Sequence, residues 1–174
     1  MAAFAGARNQ IKLISPTSQT LAVKYLVPAG AVTSIVKGCP LETVDATGTT
    51  TGGVKIVTDA YPTSASNYHF CGLAKSDSTE TAGAAGIVWA WLPFPNLIYS
   101  GKAKTAANFD TEAEIKALMY KRVLFDKDGS DVITIDTAAT DAAANGLVIV
   151  GGDYQTSTVW FVVALGATIF SNIA

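Results

Sequence analysis

The sequence predicts a mainly β protein, a β-barrel or β-sandwich with one short α-helix. Short runs rich in Val, Ile, Tyr, Phe and Trp recur at roughly 8–12-residue spacing, divided by Gly, Pro, Asn, Asp and Ser. Only one stretch, beginning near Thr111, combines a helical apolar period with start and stop signals. Of the 174 residues 49% are hydrophobic, which supplies a core. Yet no apolar run reaches the roughly 18–20 residues of a membrane helix.

Met1–Gln10 has no clear period and reads as an arm. Ile11–Ile14 and Leu21–Leu26 follow as strands, separated by the turn-forming Ser15-Pro16-Thr17-Ser18. Pro28 ends the second run because it cannot donate within a central ladder. Val32–Val36 resumes the β pattern and stops at Gly38-Cys39-Pro40, and Asp45–Gly53 is a polar loop. Val54–Thr58 alternates, with Val54 and Ile56 on one face. Tyr61–Asn67 is a turn region, Tyr68–Ala74 a core strand, and Ser76–Gly86 again small and polar. In the most apolar segment, Ile87, Trp89 and Trp91 share one face, and Val88, Ala90 and Leu92 the other. Two apolar faces predict a strand covered on both sides. Pro93 and Pro95 break it, and Asn96–Tyr99 leads into a connection over Ser100–Asn108.

The helix starts where Thr111 and Glu114 form a capping-box pattern, each side chain satisfying the other's backbone N–H. Ile115, Leu118 and Met119 form one stripe, with acids at the start and Lys121 and Arg122 at the end, and about three turns are expected. Arg122–Phe125 and Val132–Ile135 then read as strands joined through Asp126-Lys127-Asp128-Gly129. Ala138–Ala144 reads as either a helical turn or a loop, and Asn145-Gly146 is a turn. Leu147–Val150, a Gly151-Gly152 break and Val159–Leu165 follow, with Thr168–Phe170 as a candidate edge pairing. This divides the chain into an arm and first strand (1–20), a β-barrel-like module (21–103), and a helix with packing strands (104–174).

Only 15% of the chain is charged, against roughly 25% in typical soluble domains. Such a surface is either a neutral Thr-rich β face or one occupied by neighbours. A net charge of −2 and scattered bases argue against nucleic-acid binding. The N-terminus lacks the charged start and apolar stretch of a signal peptide, so cytoplasmic folding without a membrane is the expectation.

Chemistry-bearing residues are sparse. His69, the one histidine, has neither a second histidine nor a thiol at metal-ligand spacing. No Gly-x-Ser-x-Gly elbow raises the prospect of a serine nucleophile. Cys39 and Cys71 sit in apolar settings and are expected to be buried thiols, with a bridge between them left open. Asp126, Asp128, Ser130 and Asp131 resemble a calcium loop only loosely, since Gly129 comes too early and strands flank them. No catalytic residue, metal or cofactor is expected. Trp89, Trp91, Phe94 and Tyr99 form the one aromatic concentration, which serves either as a packed core or as a subunit interface.

The progression Val27-Pro28-Ala29-Gly30, Val36-Lys37-Gly38-Cys39-Pro40-Leu41 and Cys71-Gly72-Leu73-Ala74 resembles the head decoration (cement) proteins of tailed bacteriophages. It continues through Ala82–Trp89 and Asn96–Tyr99, covering roughly residues 20–104. Arg122–Asp126 and Asn145–Gly152 are similar to phage structural proteins, although the helix-containing second half departs from the smallest decoration modules. The resemblance implies a virion structural protein on the capsid exterior that binds the major capsid protein and associates with itself as a trimer. It carries over no catalytic residue. Such binding needs a stiff scaffold and a segment that orders on a neighbour. Met1–Gln10 is read either as that segment, with Phe4 as anchor and Arg8 as ionic contact, or as a disordered terminus. The candidate interface residues are therefore Phe4, Arg8, Trp89, Trp91, Phe94 and Tyr99. A head fibre or host-attachment subunit and a β-rich hydrolase are the competing readings.

Overall fold

A computed structural model describes residues 11–15, 21–29, 35–43, 53–57, 70–81, 83–94, 97–128, 132–140 and 145–164. It is mainly β and sandwich-like, with two antiparallel sheets and one α-helix among these residues. In chain order the strands are β1 Lys12–Ser15, β2 Ala22–Val27, β3 Pro40–Thr43, β4 Val54–Ile56, β5 Phe70–Ala74, β6 Gly86–Trp91 and β7 Ile98–Lys102. The helix α1, Glu112–Leu118, precedes β8 Arg122–Lys127, β9 Ile133–Asp136, β10 Leu147–Asp153 and β11 Thr158–Val163.

The first sheet runs β2-β6-β5-β3-β4 and the second β1-β7-β11-β10-β8-β9. Without β1 the two orders are the same: each unit of five consecutive strands pairs first with fifth, fifth with fourth, fourth with second, and second with third. All these pairings are antiparallel. Both sheets also curl until the first and third strands touch through one parallel bridge, Leu26 to Gly53 in one and Ala103 to Ile135 in the other. A single bridge is not a ladder, so neither sheet closes into a barrel. Lys104 reinforces the second contact, its N–H donating to the Ile135 carbonyl at 2.8 Å and its ammonium reaching Asp126 (2.7 Å) and Asp136 (3.4 Å). The described strands thus form two copies of one strand plan, with β1 added to the edge of the second.

Both units share one core. Phe70 of β5 meets Phe125 of β8 at 5.9 Å between ring centroids, and Phe125 meets Phe161 edge-on at 5.6 Å. Phe161 stacks on Tyr99 at 5.7 Å, so four rings form a continuous path from one sheet into the other. Val88, Ala90, Val159, Ile149 and Ile135 complete it from inward strand positions.

Several elements differ from the sequence expectations. Residues 35 and 36 lie outside any strand, while β3 begins at Pro40, a position where the missing N–H costs no ladder bond. β7 occupies part of the expected connection and joins the second sheet, so sheet membership changes near Pro93 rather than after residue 103. β10 runs through Gly151 and Gly152 with a bulge beside Gly151 instead of ending there. The helix has the expected capping box but stops at Leu118, where Met119 turns extended (ψ 130°) and Tyr120 takes φ +64°. Lys121 and Arg122 therefore lie beyond it, and its charge complement comes from Lys116, paired with Glu112 at 2.8 Å. The possible edge strand at Thr168–Phe170 lies outside the described residues.

Gly72 marks the tightest point of the first sheet. A bulge leaves Cys71 unopposed between the Leu41–Gly72 and Glu42–Phe70 pairs, and Gly72 takes φ +117°. A methyl group there would lie 1.8 Å from the Trp91 carbonyl oxygen. Gly72→Ala is expected to cost about 3 kcal/mol in urea unfolding. Gly83→Ala, where a methyl group meets nothing within 4 Å, should leave the midpoint almost unchanged.

Candidate functional site

Strand alternation decides which aromatics reach the surface. On β6, Val88 and Ala90 point into the core, so Ile87, Trp89 and Trp91 face outward. Their partners on β2 are Leu26, Lys24 and Ala22, which share that outer face. Trp89 is 45% exposed, Leu26 44% and the adjacent Leu21 56%. Among the described residues β6 is thus fully covered on one face only, with Trp89 exposed on the other. The result is an apolar stripe with Lys24 in its middle.

Lys75 extends the stripe. Its ammonium sits 4.4 Å from the centre of the Trp91 ring, and its N–H donates to the Trp89 carbonyl at 2.7 Å. Ser76 Oγ accepts from the Trp89 N–H at 3.2 Å, which fixes the strand beneath both indoles. Beside Trp91 lies a cleft of about 490 Å³ lined by Ile11, Lys12, Leu13, Lys37, Leu73 and Ala74. A shallower depression of about 360 Å³ is bounded by Ala22, Lys75, Ser76 and Trp89. Cations and indoles dominate this face.

The second unit repeats the arrangement. Val159 is buried and Trp160 beside it is 41% exposed, just as Val88 and Trp89 are on the fifth strand of the first unit. Trp160 pairs across to Ser100 on the first strand of its unit, as Trp89 pairs to Lys24. Its ring lies over Gly151, where an added methyl group would come within 3.0 Å of Cε3.

Of the interface residues expected from sequence, Trp89 is on the surface, and Trp91 and Phe94 are half-buried against the core. Tyr99 differs: it is 0% exposed and stacks on Phe161, so it is a core ring without access to a partner. Phe4, Arg8 and His69 lie outside the described residues. Trp160, Leu21, Leu26, Lys24 and Lys75 were not singled out by sequence. The shared Val-Trp dipeptide is the one signal that would have led to Trp160.

Some buried polar groups have structural partners, whereas the Tyr99 and Thr137 hydroxyls and the Glu80 carboxylate oxygens are buried without a hydrogen bond among the described residues. Glu42 is buried and pairs with Lys55 at 3.3 Å across the β3–β4 register. The Tyr25 hydroxyl donates to the Cys71 carbonyl at 3.5 Å. Cys39 and Cys71 are both buried thiols, not joined as a disulfide. Desolvation, with a smaller contribution from the Glu42 charge, pushes the Cys71 thiol up to about 12, so it is protonated and a poor nucleophile at neutral pH. Asp128 closes the β8–β9 hairpin, its N–H donating to the Val132 carbonyl at 3.1 Å and its carboxylate accepting the Val132 N–H at 2.9 Å. Among the described residues no three His, Cys, Asp or Glu side chains cluster as metal ligands. No helix of the described residues is long and apolar enough to cross a membrane.

No family model, no curated protein and no solved structure matches the chain.

The Cys71 thiol gives the fold an alkaline limit. An unfolded thiol ionises from its ordinary value of 9.0 while the folded one waits until about 12, so the stabilisation is intact below pH 9 and is lost between 9 and 12. Unfolding free energies from pH 8 to 10.5 should fall more steeply for the wild type than for Cys71→Ala. The slopes should differ by up to about 1.4 kcal/mol per pH unit.

Proposed function

We propose that this chain is a structural subunit of a larger protein assembly, and specifically a decoration protein on the outside of a phage capsid. One observation carries the assembly role: both units present a tryptophan at the same place on the fifth strand, flanked by an inward valine, with over two-fifths of its surface exposed. An exposed indole costs solubility, and tryptophan is the residue most enriched at the energetic centres of interfaces. Finding it twice, on equivalent outer faces, fits a subunit that meets neighbours on more than one side. The low charge of the chain supports the same reading, since charged residues are depleted at interface cores.

The capsid assignment comes from the sequence resemblance. Decoration proteins bind a lattice of identical major capsid subunits and reinforce it against internal pressure, which calls for a stiff scaffold. Two curled sheets around one aromatic core meet that need. In this reading the protein self-associates as a trimer, carries out no catalysis, needs no cofactor and resides on the virion exterior.

Heads lacking the protein test this directly. Purified chain added to them should bind to saturation, with occupancy read from stained gels and particle images. Trp89→Ala and Trp160→Ala should each weaken binding roughly thirty-fold, about 2 kcal/mol for an interface tryptophan. Their circular dichroism should match the wild type because both rings are at the surface. A wild-type chain that leaves the heads bare removes the capsid assignment. A double variant that binds at full strength removes the tryptophan contacts.

A further inference from the structure

We infer that the open edge of β2 takes up an extended strand from another protein subunit, in the position that β1 holds on β7. The molecule contains its own precedent. In the second unit, β1 covers the start of the first strand, pairing Lys12 with Ser100, Leu13 with Tyr99 and Ser15 with Ile98. The far end of that strand is taken by the third strand of the unit at the Ala103–Ile135 bridge. In the first unit the far end is taken in the same way, by the Leu26–Gly53 bridge.

The start of β2 differs. Through the tryptophan register, Lys24 (opposite Trp89) corresponds to Ser100 (opposite Trp160), so Ala22–Lys24 matches the stretch Ile98–Ser100 that β1 covers. Among the described residues only β6 pairs with β2 there, and β2 ends its sheet. An unpaired edge beside exposed leucines invites strand addition, in which main-chain bonds supply affinity and alternate side chains supply selectivity.

Lys24 sets the chemistry of the occupant. It is exposed at the middle of the open edge, and no ion pair of the described residues involves it. A second copy of β2 pairing about a two-fold axis would bring two Lys24 ammoniums together, which disfavours self-pairing. The strand that fits carries apolar side chains toward Val23 and Tyr25 and a carboxylate opposite Lys24. This deepens the assembly reading and rests on it only for the source of the strand, since the edge itself is a property of the chain.

The precedent also supplies the probe. In the corresponding register the residue opposite Lys24 is the one that Lys12 occupies on β7. A capped peptide of residues 11–15 carrying Lys12→Glu should therefore bind the intact protein and slow amide exchange at residues 22–25, read by NMR. The unsubstituted peptide should bind roughly five-fold more weakly, and Lys24→Glu in the protein should reverse that preference. A peptide N-methylated at alternate residues should not bind. The inference is overturned if exchange at 22–25 is unchanged at millimolar peptide while another edge is protected or none is. It is equally overturned if the N-methylated peptide binds as well as its parent, or if the peptide-free protein already protects 22–25 by dimerising. None of these outcomes depends on capsids, so failure to bind heads and failure to bind the strand are separate results.

Discussion

The ring of Phe125 touches both halves of the molecule, resting on Phe70 from the first sheet and against the edge of Phe161 in its own. Each five-stranded unit is a curled sheet with one apolar face, and so small a unit buries too little surface alone to offset the entropy of ordering its chain. The contact through Phe125 turns two inadequate faces into one core. The inward positions of β6, β10 and β11 follow from it, because a strand with one face committed to that core must turn alternate residues outward. Trp89 and Trp160 are outside because Val88 and Val159 are inside.

Repetition of the strand plan explains features that look unrelated one at a time. The parallel bridges at Gly53 and Ala103 are the same closure made twice, and the two exposed indoles are the same surface made twice. Among the described residues the units differ in their bulges and at their margins. The second has α1 between its first and second strands, Lys104 fastening its closure, and β1 along its edge. The first has, among the described residues, an unpaired edge at β2 and a tryptophan–lysine face.

Local chemistry was legible in the sequence and pairing was not. The Thr111–Glu114 capping box is a contact between near neighbours, and it stands in the structure as read. The alternation of Val54 and Ile56 and the hairpin at Asp128 are local too. Tyr99 and Trp89 looked equivalent because both lie in apolar runs, and only the register of β7 on β11 sends Tyr99 inward. Pro40 hid β3, since a proline reads as a break unless its position at the first residue of the strand is known. The duplication was hidden because the units share strand order rather than sequence. Inward positions accept many apolar residues, and little beyond the Val-Trp pair marks the correspondence.

The placement of β1 has a consequence for how the chain reaches this state. β1 precedes the whole first unit, yet its hydrogen-bonding partner is β7, the opening strand of the second. During synthesis β1 emerges before every strand of the first unit and waits for all of them before its own partner exists. The clasp it forms on β7 therefore closes over a long loop, at an entropic cost that the contacts of β1 alone must offset until the second unit is complete. Nascent chains would carry β1 as a free adhesive strand throughout that interval. The order of the strands along the chain thus encloses the whole first unit between two strands that pair in the second sheet.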